Sequence, residues 1–600
     1  MPNAKWTNLI TLALTGLILH GCNQVERARP RPKASSSIKE LEGVQVASIL
    51  RGTVGAETVI LGWDNSSSPT HKPIKIRGYG LVVGLDETGS SDIPPDVRGY
   101  MLQIMARQGI GSEQIGFGDV SPEDMLESPN TAIVIVEGTV PPGAVGRTRT
   151  PPSANGRLPE VMPGTTFDVR VYADPRTGTT SLEGGRLYTT DLSPGPLLTG
   201  SRQAKRLGQA AGPIFLNPFI ESEDVATGDI NTLNGRILNG GQVLEDMPLK
   251  LRLINPSHSR TRVIQDAINR RFPIERGQTA TTARGVSDAV LELTVPPSMR
   301  DDPDSFVRIM QHVSLRQVDT DRIANTTRRA LQRDPSDAAH AYWRWVALGP
   351  QALPMVRKMY DYPEALPRLA ALRAGAELAD PIAAVSLRQM AQEGSLAERL
   401  EATTLLAKLP TDPRSEEALR NLLNDENIEV RLRAYEALEK LRSPVVRRIS
   451  IPGKFELHEV PSAYNAIYVT QIQRPRIVLL GNVVEILRPL TLGLWDNSLL
   501  MREAEDEDRI EIFYRASPMG RSEINRVKPT LHELTLLLAH DPTVEDPSPG
   551  LDLTYSEVVG VLHALWRREY VAADFKAQQD RVMAELRRSA TMTDYQPRPE

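Results

Sequence analysis

The sequence predicts a multidomain α+β protein, and three observations carry that reading. Six hundred residues exceed what one hydrophobic core can hold. The first half alternates short apolar strands with glycine and proline turns, whereas residues 326–445 shift to Ala, Leu, Arg and Glu with a repeating period. Residues 446–600 return to short strands mixed with helices. A hydrophobic fraction of 40% and a charged fraction of 24% describe ordinary globular material, not disorder. The formal net charge of −5 leaves no domain-wide basic excess to displace counterions, which excludes a general nucleic-acid binder.

Residues 1–21 read as a secretory signal. They carry Lys5, an apolar run from Leu9 to Leu19, and then His20-Gly21 before Cys22. A charged start with so short an apolar core does not make a stable bilayer span. Leu19-His20-Gly21-Cys22 resembles the lipobox of bacterial lipoproteins, which implies acylation of Cys22 as the mature N-terminus. A plain cleaved signal with an incidental cysteine is the alternative. Two or three acyl chains anchor a protein where one does not, and Asn23 in place of an aspartate favours the outer membrane. Cys22 is the single cysteine, so the exported chain has no disulfide. Residues 22–40, rich in Arg, Pro and Ser, read as a flexible tether.

The next unit spans 41–325. In it, Arg77-Gly78-Tyr79-Gly80-Leu81-Val82-Val83-Gly84 puts a short apolar strand between glycines, followed by Gly89. This is no phosphate loop: the glycine spacing is one residue too long for a dinucleotide fingerprint, and no lysine follows Gly89. Asp96 is placed to cap a helix with Val97, Met101, Ile104 and Met105 on one face, ending at Gly109. Thr131 to Val136 reads as a strand buried on both faces, and Phe167, Val169 and Val171 alternate as a half-buried one. Leu249 to Leu253 alternates likewise, ahead of a helix capped near Ser259 with Val263, Ile264, Ala267 and Ile268 facing inward.

Taken in order, these segments resemble the bacterial flagellar P-ring protein family. The resemblance rests on Gly78, Tyr79, Gly80 and Gly84; on the apolar strand and Pro141-Pro142 turn; on Gly184 and Gly185 in Ser181-Leu182-Glu183-Gly184-Gly185-Arg186-Leu187; and on Gly235, Arg236, Asn239 and Gly240. Two departures stand out. P-ring proteins usually carry an internal cysteine pair, absent here, and residues 147–162 look inserted. Arg147, Arg149 and Arg157 in that insertion are candidates to touch anionic wall polymer or a neighbouring subunit, against the alternative of a solvated loop.

Within 326–445, Arg368-Leu369-Ala370-Ala371, Arg399-Leu400-Glu401-Ala402 and Arg431-Leu432-Arg433-Ala434 superimpose at offsets of 31 and 32 residues. Such a period means stacked helical hairpins, none able to bury its apolar stripe alone. The pattern resembles HEAT-like repeats, elements that bind or space other proteins. In 446–600, Ile467 to Ile472, Ile477 to Leu480 and Arg509 to Tyr514 read as strands. A helix starts at the capping box Thr554-x-x-Glu557, with Val558, Leu562, Leu565, Ala572 and Phe575 inward. The acidic run Glu503 to Asp508 reads as a solvated loop, with a metal site as the minor alternative.

The nine histidines include no i, i+4 pair, and no Gly-x-Ser-x-Gly elbow occurs, so neither a catalytic nor a metal residue is assigned and no cofactor is expected. His532 and His540 read as capping or core-lining groups. The family resemblance implies a non-enzymatic subunit that assembles with copies of itself into a ring around the flagellar rod. It would lie in the periplasm, beside rod and L-ring proteins and peptidoglycan, with membrane contact through lipid on Cys22. The alternative is a non-flagellar envelope lipoprotein scaffold that reuses the same body; a wall-modifying hydrolase has only the expected location in its favour.

Overall fold

The computed structural model describes residues 48–578 except 62–72, 109–120, 142, 150–160, 198–204, 218–230, 248, 277, 279, 301, 316–318, 410–411, 496, 505–507 and 516–521. Cys22 and the rest of residues 1–40, expected as signal and tether, lie outside the described residues, as does Arg157. No helix among the described residues is long and apolar enough to cross a membrane. The architecture is α+β, with a barrel, three larger open sheets and a run of helices.

After β1 (Thr58–Leu61) the chain enters β2 (Ile74–Val83) and then helices α1 (Pro95–Gln108) and α2 (Pro122–Glu127). Next come β3 (Thr131–Val140), the short pair β4 (Thr148–Arg149) and β5 (Val161–Met162), and β6 (Thr166–Ala173). β7 (Arg186–Pro194), β8 (Gly208–Pro213) and β9 (Asn234–Val243) follow. Six of these strands close into a barrel in the order β2-β3-β6-β9-β8-β7. Its interior is filled by Ile76, Val82, Val134, Val136, Phe167, Val169, Val171, Leu187 and Ile237.

The opposite faces of β2 and β3 are also buried. Tyr79, Leu81 and Ile133 pack under Val97, Met101 and Met105 of α1 and Leu126 of α2. That double cover is why Thr131 to Val136 is apolar without alternation, whereas the half-covered β6 alternates. Two local expectations shift. α1 begins at Pro95, so Asp96 lies inside its first turn and is no cap, because Pro at the first position needs no N–H partner. Ile104 is half-buried, while Val97, Met101 and Met105 carry the packed face.

A second sheet, β1-β10-β12-β11, is built from β10 (Leu249–Leu253), β11 (Ala283–Gly285) and β12 (Val290–Leu293) with β1. Helix α3 (His258–Arg271) buries Ile264, Ala267 and Ile268 against it. Its N-cap is Ser257, two residues before the expected Ser259, and Val263 is 47% exposed because the sheet covers a narrower stripe of the helix.

The core of this sheet continues without a break into helices α4 (Pro303–Gln311), α5 (Thr320–Arg333) and α6 (Ala338–Leu348). It then runs through α7 (Ala365–Glu377), α8 (Ala383–Glu393), α9 (Leu396–Leu406), α10 (Pro413–Leu422) and α11 (Ile428–Lys440). The three superimposable segments fall on α7, α9 and α11. Arg368 pairs with Glu398 at 2.7 Å, Arg399 with Asp425, and Arg431 with Asp574 at 2.8 Å. The arginine of each unit thus reaches forward to the next, and the last one reaches beyond the helices.

The C-terminal module has a five-stranded sheet of order β13-β14-β16-β15-β21, made of β13 (Arg447–Ile451), β14 (Phe455–Val460), β15 (Ala466–Val469), β16 (Arg476–Leu480) and β21 (Asp574–Ala577). Between β16 and β21 lies an antiparallel meander of β17 (Thr491–Leu494), β18 (Leu499–Glu503), β19 (Ile510–Tyr514) and β20 (Glu523–Val527). Helices α12 (Leu531–Ala539) and α13 (Tyr555–Arg567) follow the meander.

The five-stranded sheet is buried on both faces. Leu457, Ile467, Ile477 and Leu479 join the core under α13, while Tyr468, Val478 and Leu480 join the core of the helices. The capping box Thr554/Glu557 starts α13 as expected. The helix ends at Arg567, however. Glu569 turns left-handed at φ 61°, and Phe575 lies on β21, so Ala572 and Phe575 are not on the helical face. Ile472 lies past the end of β15. His540 is the C-cap residue of α12, and His532 sits 2.7 Å from Glu459. Arg488 lies against Glu503 and Asp508 at the two ends of the acidic run.

Candidate functional site

The residues that carry the family resemblance converge on the barrel. Gly78, Tyr79 and Gly80 are on β2 with Gly84 just beyond it; Gly184 and Gly185 form the turn into β7, which pairs with β2; Gly235, Arg236, Asn239 and Gly240 are on β9. Gly80 and Gly184 show the two reasons for glycine here, close approach and backbone conformation. A Cβ on Gly80 would lie 2.6 Å from Thr190 Oγ1 and 2.8 Å from Leu187 Cδ1, so β2 and β7 approach only because it is absent. Gly184 holds φ 70°, the left-handed region that other residues rarely adopt.

Tyr79 anchors the helical cover. Its ring meets Tyr100 of α1 edge-on at 5.9 Å, and its hydroxyl accepts from Arg176 Nη2 at 3.1 Å. Arg176 is held in turn by the buried Asp174 at 2.7 Å and lies 3.7 Å from Asp96. Burial pushes the Asp174 carboxyl up, but the hydrogen bonds from Arg176 outweigh it and hold it below the usual carboxylate range.

Asn239 occupies a left-handed position at φ 55° inside β9. Its backbone N–H donates to Asp168 Oδ1 at 2.7 Å. The same carboxylate accepts the backbone N–H of Gln473 at 2.9 Å to each oxygen. Gln473 belongs to the β15–β16 turn and is itself left-handed at φ 61°. The C-terminal module therefore docks on the barrel at this point.

The contact continues along the segment from Ile214 to Asn217. Phe215 pairs with Arg236 backbone to backbone at 2.6 and 2.8 Å and inserts its ring into the module, 5.3 Å from Tyr555. Tyr555 stacks in turn on Phe455 at 5.4 Å. Leu216 N–H donates to Ser556 Oγ at 2.9 Å, and Gln471 Nε2 donates to Asn217 Oδ1 at 3.1 Å. None of Asp168, Phe215, Gln473 and Ser556 carries a sequence signal for this role. Nothing in a strand or turn tells that a residue hundreds of positions away will supply its partner.

Among the insertion arginines, Arg147 is exposed beside the short hairpin and Arg149 lies on its first strand. No group of three or more metal-ligating side chains occurs among the described residues.

The family model described as Flagellar P-ring protein matches residues 153–329, from ahead of β5 to within α5. A Flagellar P-ring protein of Anaeromyxobacter dehalogenans is 30% identical over 257 residues, covering 42% of this chain and 57% of the relative. That of Caulobacter vibrioides is 27% identical over 240 residues, 40% of this chain and 56% of the relative. That of Syntrophotalea carbinolica is 27% identical over 251 residues, 40% and 57%. The chain thus spans less than three fifths of the length of these relatives. The resemblance to the flagellar P-ring protein family is upheld for the stretch 153–329, which takes in β6 to β12, and Gly78 to Gly84 precede the matched residues.

Proposed function

We propose that the protein is a non-enzymatic structural subunit of a flagellar P-ring-like assembly, surrounding the rod in the periplasm and lipid-anchored at Cys22. The observation that carries this reading is the family match over 153–329, which takes in four of the six barrel strands and most of the second sheet. A heterologous contact between copies closes into a ring when its rotation permits, and a rigid barrel capped by helices suits such packing. In this reading the subunit sits beside rod and L-ring proteins and peptidoglycan. The helices after α4 act as a HEAT-like spacer or partner surface, and residues 446–600 form a module that braces the barrel.

A second reading, an envelope lipoprotein scaffold outside the flagellum, draws support from one feature. The C-terminal module occupies a face of the barrel through Phe215 and Asp168. A face covered within the chain is not available to a neighbouring copy. Mass spectrometry of purified basal bodies against the whole envelope separates the two. Enrichment with rod and hook proteins is expected for the ring subunit; absence from basal bodies would establish the scaffold. The anchor is tested separately: a Cys22→Ala chain should leave the outer-membrane fraction, and its continued sedimentation there would refute lipidation.

A further inference from the structure

We propose that the cleft between the outer barrel face and the C-terminal module is a binding site for an oxyanion, a carboxylate or phosphate, held by Arg170 and Arg236 with Lys75. The barrel register sets up the site. Arg77 of β2 lies opposite Glu137 of β3, Glu137 opposite Arg170 of β6, and Arg170 opposite Arg236 of β9. Residues directly opposed in antiparallel strands share a face, so these four side chains form one row across the barrel.

The charges in that row do not cancel. Glu137 Oε1 accepts from Arg77 at 2.9 and 3.3 Å and lies 3.9 Å from Lys75 Nζ. The one other carboxylate in the cleft, Asp168, is committed to the backbone N–H groups of Asn239 and Gln473. Arg170 and Arg236 are left facing each other across neighbouring strands, with no ionic partner for either side chain among the described residues. Like charges directly opposite destabilise a strand pair, and a bound anion converts that repulsion into two charge-assisted contacts.

The cleft is a formed space of about 410 Å³. Lys75, Thr139, Arg170 and Arg236 line it from the barrel, and Ile472 of the C-terminal module closes it. Arg236 is fixed through its backbone bridge to Phe215, so its guanidinium is presented by the strap that docks the module. Guanidinium pairs suit planar or tetrahedral oxyanions because each offers two parallel N–H donors.

The test uses the full chain and inorganic phosphate, with chloride at matched ionic strength as reference. Phosphate should raise the thermal midpoint of the native protein, and Arg170→Gln or Arg236→Gln should weaken its binding about tenfold. In the absence of phosphate, both variants should melt at or above the native temperature, because each relieves the opposed charges; this separates lost binding from lost folding. A parallel titration with soluble peptidoglycan fragments, which bear carboxylates and no phosphate, identifies the source. Tighter binding of the fragments assigns a wall carboxylate, and binding of phosphate alone assigns a phosphate-bearing ligand. No stabilisation by either probe, or the same stabilisation in both variants, would overturn the proposal.

Discussion

Asp168 of the barrel accepts the backbone N–H of Gln473, 305 residues further along the chain, with both carboxylate oxygens at 2.9 Å. With the Phe215 ring seated 5.3 Å from Tyr555, this contact returns the chain to its own beginning. The path runs from barrel to second sheet, through the helices, into the C-terminal module and back to the barrel.

Loosening this return contact should affect the module and spare the barrel. Phe215 is 5% exposed, and truncating a buried phenylalanine costs about 3–5 kcal/mol. Asp168→Ala removes charge-assisted hydrogen bonds at a more exposed place and should cost less, roughly 2 kcal/mol. In Phe215→Ala, hydrogen exchange should quicken in β14 and α13 while the amides of β2 and β3 keep their protection. Uniform loss of protection across both would mean that the barrel depends on the module for its own stability.

The equivalent arginines of the helical units should differ sharply in worth. Arg368 and Glu398 are both partly exposed, at 29% and 27%, so Arg368→Ala should cost under about 1 kcal/mol. The Arg431 side chain is 1% exposed and donates to the carbonyls of Asp425 and Glu426 as well as to Asp574. Arg431→Ala strands those acceptors and should cost roughly 3 kcal/mol. Asp574→Ala should fall between the two, because that carboxylate is 59% exposed. Urea midpoints of the three variants give the order, and equal midpoints would remove Arg431 as the joint between helices and module.

The Gly80 site offers a test where two effects oppose. Alanine would restrict the unfolded chain and so stabilise by about 0.4–1 kcal/mol. Its Cβ would also meet Thr190 Oγ1 at 2.6 Å, Leu187 Cδ1 at 2.8 Å and Val136 Cγ2 at 2.9 Å. Overpacking a tight core costs about 1–3 kcal/mol, so the net effect of Gly80→Ala should be destabilising by roughly 1–2 kcal/mol. A thermal midpoint at or above the native value would mean that β2 and β7 can part without loss.

How much of this was legible in the sequence follows from how local each cause is. The alternation of Phe167, Val169 and Val171, the apolar run from Thr131, and the capping box at Thr554 are set by neighbours a few residues away, and each emerges where expected. The end of α13 was not legible. Val571, Ala572 and Ala573 continue an apolar, helix-compatible composition, but Glu569 turns left-handed and β21 pairs with β15 instead. The glycine landmarks were read as one family pattern, while their closure into a barrel depends on β2 meeting β7, a pairing that no local rule supplies. The oxyanion cleft is further removed still. Arg170 and Arg236 become opposed only through the β6–β9 register, and Ile472 reaches them only because the module folds back.

Acid should weaken the core between the second sheet and the helices before it titrates the ordinary carboxylates. His312 is buried, and burial pushes its imidazole down to about 4, helped by His340, Arg344 and Arg308 nearby and opposed by the hydrogen bond to the Arg308 carbonyl. Its value in the unfolded chain is about 6.5. Between those two values the unfolded state binds more protons than the folded one, so stability rises with pH across that window and falls as pH drops through it. The whole span amounts to roughly 3 kcal/mol. Burial lowers His458 and His563 as well, so some slope should persist without His312. Asp380 acts in a lower window: burial raises its carboxyl, but Arg357 and Tyr360 hold it below its usual value, so its contribution is lost only under stronger acid. Urea midpoints measured from pH 7 to pH 4.5 should decline in the native chain and decline less in His312→Gln. Parallel curves would mean that the proton enters without opening this core.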